Sequence, residues 1–187
     1  MKAYNLLCEY AKEPLGVESP NPLFTWSAEP DHNGQLQSSY WLQVEEEDNP
    51  SNLWDSGRVF SAEQSAAYSG PSLKQATAYR WRVKWWDERE SESEWSDWAH
   101  FVTGLVSWKA SWIEGGNLLR KEIELGKFSR ALAFISGLGY YELRINGKKV
   151  GDKVLDPGWS DYDKRVLYSV YDVTGYLREG RNAFGIM

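Results

Sequence analysis

The sequence predicts an all-β protein of two domains, residues 1–104 and 105–187. Three observations predict it. Short segments alternate apolar and polar residues between turn clusters, the pattern of sandwiches and barrels. Aromatic residues reach 15%, with 11 Trp and 11 Tyr against 2 Met, a bias toward strands or sugar-contacting surfaces. No segment sustains a 3.6-residue period, so very little helix is expected.

Each element follows from its alternation. In Tyr40-Trp41-Leu42-Gln43-Val44-Glu45, residues Tyr40, Leu42 and Val44 share one face, and Trp41, Gln43 and Glu45 the other. A turn is expected over residues 48–52. The clearest strand runs from Tyr79 to Trp86: Tyr79, Trp81, Val83 and Trp85 point one way, and Arg80, Arg82 and Lys84 point to a wet face. Residues 87–94 carry five carboxylates and read as a solvated hairpin loop. Alternation resumes from Trp95 to Val102 and sets Trp98 and His100 against Ala99 and Phe101. The texture changes between Gly104 and Trp112, where the domain junction is placed. Beyond it, Asn146-Gly147 interrupts alternation between Tyr141 and Val150, the signature of a hairpin with a type I′ turn. Asp156-Pro157-Gly158 is another turn. Tyr168 to Val173 reads as a strand, 175–180 as a turn or single helical turn, and Asn182 to Met187 as the start of a strand.

Composition excludes several classes. The chain has 187 residues, 27 acidic and 21 basic, for a net charge of −6, which argues against a general nucleic-acid or anionic-membrane binder. One cysteine, Cys8, and two histidines, His32 and His100, rule out an internal disulfide and a structural zinc site. No apolar run approaches a membrane span. The N-terminal residues lack a long apolar core of a signal peptide, so the expected compartment is the cytoplasm.

Residues 22–26, Tyr79 to Val83, and Trp95-Ser96-Asp97-Trp98 with Phe101 resemble a fibronectin type III or immunoglobulin-like sandwich, with Tyr79 as a tyrosine corner. The combination is more specific. Asn21-Pro22-Leu23-Phe24-Thr25-Trp26, Trp54-Asp55-Ser56-Gly57, residues 81–87 and 101–105 together resemble the N-terminal region of bacterial α-L-rhamnosidases of glycoside hydrolase family 78. Residues 137–142, 145–152, Leu155-Asp156-Pro157-Gly158 and Tyr171-Asp172-Val173-Thr174 resemble that family's galactose-binding-type jelly roll. The implied architecture is a sandwich followed by a jelly roll that looks incomplete. The resemblance also implies that the catalytic (α/α)6 barrel lies outside this chain, which reads as an N-terminal fragment without rhamnosidase activity of its own.

Family members hydrolyse α-L-rhamnosides with inversion, which takes an acid and a base roughly 6.5–9.5 Å apart. The resemblance puts both in the barrel, so no catalytic residue is assigned here. There is no Gly-x-Ser-x-Gly nucleophile motif, and Gly137-Leu138-Gly139 lacks the third glycine of a dinucleotide loop. The other candidate is the loop holding Asp152, Asp156, Asp161 and Asp163 with Trp159 and Tyr162. Hard carboxylate oxygens suit calcium, and aromatic faces stack on sugar C–H surfaces. Asp152, Asp156 and Asp161 are therefore candidate Ca²⁺ ligands, and Trp159, Tyr162 and Asp161 candidate carbohydrate contacts. Calcium-dependent rhamnose binding by jelly-roll modules is a property the family resemblance implies. The competing reading makes the aspartates turn caps and packs Trp159 against a neighbouring domain.

Three roles follow. The first is a scaffold for the catalytic barrel, which would be its main partner, with self-association through a cut strand edge near Met187. The second is a free-standing calcium-dependent module for rhamnose-containing glycans. The third is a protein-interaction module using exposed Trp41 and Trp86.

Overall fold

The computed structural model describes the backbone of residues 1–187 and all side chains except those of residues 51–53. The chain divides into two compact units, Met1–Val106 and Ser107–Met187. The all-β expectation holds: the one helical element among the described residues is a 3-10 turn at Thr174–Tyr176.

The first unit is a two-sheet sandwich. Strands β1 (Lys2–Cys8), β3 (Leu23–Glu29) and β6 (Ser65–Ala67) form one sheet in the order β1-β3-β6. Strands β2 (Leu15–Val17), β4 (Gln37–Glu46), β5 (Asn49–Val59), β7 (Ala78–Asp87) and β8 (Ala99–Thr103) form the other, ordered β2-β8-β7-β4-β5. The chain turns at residues 47–48 and β5 begins at Asn49; of the turn expected over 48–52, the side chains of 51 and 52 lie outside the described residues.

Period-two alternation determines the core. Tyr40, Leu42 and Val44 of β4 and Tyr79, Trp81, Val83 and Trp85 of β7 all point inward against Phe24, Trp26 and Phe101. The Phe24 and Trp81 rings lie 4.6 Å apart between centroids. Each such side chain contributes roughly 1.5–3 kcal/mol by leaving water. Tyr79 is a tyrosine corner: its hydroxyl accepts the upstream Lys74 N–H at 2.9 Å.

The outer face of β7 is not simply wet. Residues 93–98 lie alongside it without joining the sheet, and Trp95 and Trp98 cover its cations. The Arg82 guanidinium sits 4.5 Å from both ring centroids. Lys84 lies 4.9 Å from the Trp86 ring, and Arg58 lies 4.5 Å from the same ring. Trp86 is accordingly buried and Trp41 half-buried, which corrects the expectation that both are exposed docking aromatics. Cation–π pairing removes the rings from solvent on a face that alternation alone labels polar. The acidic run is also only partly a solvated loop. Asp87 is buried, accepting the Gln35 amide at 2.8 Å and the Arg89 and Ser91 N–H groups at 2.9 and 2.7 Å. The Gln35 hydrogen bond and those two N–H groups outweigh burial and hold its carboxyl below the usual range.

The second unit carries β9 (Leu119–Leu125), β10 (Leu132–Ser136), β11 (Leu143–Ile145), β12 (Lys148–Lys149), β13 (Tyr168–Asp172) and β14 (Gly180–Ile186). They form a four-stranded sheet, β12-β11-β14-β9, and a two-stranded one, β10-β13. The Asn-Gly turn forms as expected, with positive φ at Asn146 (51°) and Gly147 (82°) and Ile145 paired to Lys148. The fully buried core is small: Leu143, Ile145, Val150, Tyr171 and Val173. β14 lies inside its sheet, paired with β11 on one side and β9 on the other, and Met187 exchanges both backbone hydrogen bonds with Glu142. Among the described residues the strand next to Met187 is therefore flanked on both sides, in place of the open edge expected there, and β9 and β12 stand at the two ends of the order.

Candidate functional site

The loop between β12 and β13 carries the residues that sequence reasoning singled out. It is pinned at Asp156. An isolated bridge joins Asp156 to Tyr141, and the Tyr141 N–H donates to the Asp156 carbonyl at 3.0 Å. The Asp156 carboxylate accepts a short hydrogen bond from the Tyr171 hydroxyl and a longer one, 3.4 Å, from Tyr141. Lys153 stands 3.9 Å away and lies over the Tyr171 ring at 5.3 Å.

This network polarises its members. Burial pushes the Asp156 carboxyl up, but the Tyr171 and Ser169 hydroxyls, the Lys153 ammonium and the Tyr141 hydroxyl together hold it below the ordinary carboxylate value. Burial, then the hydrogen bond to Asp156, pushes Tyr171 up to about 12. Tyr141 is raised by burial and by the neighbouring Tyr171 and Asp156.

Beyond the pin, the loop presents an aromatic surface. The Trp159 ring lies 5.9 Å from Tyr140 and 5.6 Å from Tyr162. Trp159 is 70% exposed and Tyr140 51% exposed. A large exposed aromatic carries a solvation cost, and three rings in contact give an apolar face of the kind that sugar C–H groups cover.

The candidate metal ligands do not converge. Among the described residues, no group of three or more His, Cys, Asp or Glu side chains is placed to hold a metal ion. Asp156 is committed to the tyrosines. Asp161 caps its own turn: its carbonyl accepts the Lys164 and Arg165 N–H groups at 2.9 and 2.8 Å, and its carboxylate pairs with Lys164 at 2.9 Å. Asp152 is exposed on the same loop. These residues do not fit a calcium centre. Of the expected carbohydrate contacts, Trp159 and Tyr162 are brought together and Asp161 is turned to its own loop. Tyr140, Tyr141, Tyr171 and Lys153 escape sequence reasoning. The adjacent pair Tyr140-Tyr141 holds the signal, since neighbours in an extended segment face opposite sides: Tyr141 goes inward to Asp156 and Tyr140 outward to Trp159.

Next to this site, an open apolar groove of about 820 Å³ runs between the two sheets. Its lining includes Trp108, Trp112, Leu119, Phe134, Tyr141 and Ile186.

An immunoglobulin-like sandwich followed by a partly open β-unit defines the class of protein: a two-unit, all-β region. The chain belongs to the family described as Rha78A-like, N-terminal immunoglobulin domain, which matches residues 3–107, and residues 126–187 match the alpha-L-rhamnosidase N-terminal domain. A solved alpha-L-rhamnosidase from Dictyoglumus thermophilum superposes with a TM-score of 0.92 at 38% identity, covering 100% of this chain and 25% of that one. An alpha-L-rhamnosidase of Formosa agariphila is 34% identical over 97% of this chain and 23% of its own length. The native Aspergillus terreus enzyme shares the fold, with a TM-score of 0.83 at 24% identity over 23% of its chain. The chain thus spans about a quarter of the length of these relatives and corresponds to their N-terminal domains. Among the described residues, no helix is long and apolar enough to cross a membrane.

Proposed function

We propose that this chain is the non-catalytic N-terminal β-region of an α-L-rhamnosidase, acting as a scaffold for a separate catalytic domain that removes terminal α-L-rhamnose. The observation that carries this reading is the match through both units to rhamnosidases about four times its span. The apolar groove and the exposed Trp112, Ile113 and Leu138 of the second unit support it, since a surface of that kind favours a protein contact. Cytoplasmic residence agrees with one free, buried cysteine. The test is an assay of the pure chain on nitrophenyl α-L-rhamnoside. No nitrophenol is expected; release that disappears on replacing one of this chain's own carboxylates refutes the reading.

A second role rests on the Tyr140–Trp159–Tyr162 surface, which fits a rhamnose-containing glycan by stacking. Titration calorimetry with L-rhamnose, run with calcium and with chelator, tests it. Heat in both arms supports stacking alone, heat only with calcium assigns a metal-dependent site, and no heat in either removes the role.

A further inference from the structure

We propose that residues 91–98 are a latch: a strap that opens and closes as one unit on the edge of β7 while the sandwich beneath it stays folded. The proposal is independent of the rhamnosidase reading. β4 pairs with β7 on one side from Tyr79 to Asp87, and β8 pairs with it on the other from Ala78 to Trp81. The strap takes over from there in an irregular register. The Asp87 N–H donates to the Ser91 carbonyl at 3.1 Å, Trp85 meets Ser93, Val83 meets Ser96, and Trp81 pairs with Ala99. From Ser93 to Ala99, three strap residues answer every two of β7. Two strand residues advance about 6.8 Å and three about 10 Å, so the strap is contracted, with one residue in three bulged out of the ladder. Buried Ser93 and Ser96 make the contraction possible. Each hydroxyl accepts a β7 N–H and donates its own proton to the strap's Glu94 or Asp97 carbonyl at 2.8 Å.

The contraction swings Trp95 and Trp98 over the outer face of β7, where they interleave with its cations. Lys84, Trp95, Arg82, Trp98 and Arg80 stack in that order. Lys84 lies 5.1 Å from the Trp95 ring centroid, Arg82 4.5 Å from both rings, and Arg80 4.6 Å from Trp98. β7 supplies every cation of this stack and the strap both rings, so strap and sheet are joined rung by rung. Glu92 of the strap adds an ion pair with Lys84. Arg82 is shared, so displacing one ring loosens the cation that holds the other. A three-for-two register likewise has no one-residue slip that keeps both serines on their partners. These couplings make the strap open whole. The apolar core does not hold it back: among the described residues, none of 91–98 belongs to the core cluster of the first unit, which resumes at Ala99. The two ends are fixed points. The Asp87 carboxylate holds the Arg89 and Ser91 N–H groups at 2.9 and 2.7 Å, and Ala99 begins β8. On its outward side the strap is held by the Glu94 N–H on the Met1 carbonyl at 3.2 Å and by the exposed Lys2–Asp97 pair at 2.9 Å, and an exposed pair contributes little. Opening the strap therefore costs less than unfolding the sandwich. It bares the Val83 and Trp85 backbone groups, through which a sheet edge pairs with another strand.

Native-state hydrogen exchange of the full chain, followed by NMR at low urea concentrations, tests this. In β7 the Val83 and Trp85 N–H groups face the strap, and those of Arg82 and Lys84 face β4. The expected result is one shared protection for Val83 and Trp85, about ten-fold or more below that of Lys84 and of Gln43 in β4. That shared protection should also depend less on urea, because opening the strap exposes little surface. Ser96→Ala should speed exchange at Trp85 by the same factor as at Val83, about ten-fold, although Trp85 keeps its own partner Ser93. Arg82→Gln, which leaves every backbone partner in place, should speed both through the two rings. Circular dichroism checks that both variants fold. Equal protection at Val83, Trp85, Lys84 and Gln43 in the parent overturns the proposal, because strap and sandwich then open together. A Trp85 amide indifferent to either variant overturns it too, because the strap then frays one residue at a time.

Discussion

Ser96 and Val83 face each other as a ladder pair although Ser96 belongs to no strand. The Ser96 N–H donates to the Val83 carbonyl at 2.9 Å, and the Ser96 Oγ accepts the Val83 N–H at 3.1 Å. Ser93 repeats the arrangement with Trp85, at 2.8 and 2.9 Å. In each pair a side-chain oxygen takes the place of a strand carbonyl. Both serines are buried, so the Val83 and Trp85 N–H groups have no water to turn to.

Ser96→Ala is therefore expected to destabilise the first unit by about 1–3 kcal/mol, the cost of a buried donor left unpaired. Urea unfolding followed by tryptophan fluorescence reads it. Ser96→Thr keeps the hydroxyl and should lose less. A Ser96→Ala variant as stable as the parent would show that the N–H finds another acceptor.

Asn182, at 0% exposure, should be the most sensitive polar position of the second unit. Its Nδ2 donates to the Arg178 and Gly180 carbonyls at 2.7 and 2.9 Å, and its Oδ1 accepts the Arg178 N–H at 3.0 Å and the Asn146 amide at 2.8 Å. Asn182→Ala should cost about 2–4 kcal/mol by stranding several of these groups. Calorimetry should show the second unit's transition fall while the first unit's stays in place.

The Asp156 network predicts loss of stability at both ends of the pH scale. Asp156 is held below its ordinary 3.8 in the folded chain. Its contribution is complete above that value and is lost as pH falls through the lower folded value. Tyr171 moves from 10.0 to about 12. The folded state keeps the phenol protonated, so its contribution is complete below 10 and is lost as pH rises toward 12. Melting curves across pH should show Asp156→Asn flattening the acid limb and Tyr171→Phe flattening the alkaline limb. Unchanged limbs in both variants would remove the network from the stability of this unit.

Trp159→Ala should abolish any rhamnose binding and leave the melting temperature nearly unchanged, because the ring is 70% exposed. Trp85→Phe offers a contrast in the first unit. Among the described residues the Trp85 Nε1 is the buried side-chain polar atom without a hydrogen-bond partner. Removing it offsets part of the cavity cost, so the change should stay within about 2 kcal/mol, against about 3–5 for Trp81→Ala.

Alternation is a local property, and it makes the faces of β4, β7 and β8 legible in the residues themselves. The same holds for the turn at Asn146-Gly147, where a two-residue loop needs positive φ twice. What sits opposite a residue is not local. Spacing puts Lys84 and Trp86 on one face of β7, but nothing in it tells that Arg58, from β5, covers the same ring. Nothing in the spacing of Asp152, Asp156 and Asp161 tells that two tyrosines claim the middle one. Trp159 and Tyr162, three positions apart on one loop, are legible as a pair; Tyr140, from a different segment, has to be brought there by the fold.

The chain's own order of residues determined that this protein is a stack of strands, which side chains each strand buries, and which family it resembles, because period two and turn chemistry are written within a few neighbouring residues. Tertiary structure alone decided that β14 lies between β11 and β9, and that the Asp156 carboxylate accepts hydrogen bonds from Tyr171 and Tyr141. Those outcomes depend on which distant segments pack together, and burial and hydrogen bonding across that distance outweigh what any short stretch prefers.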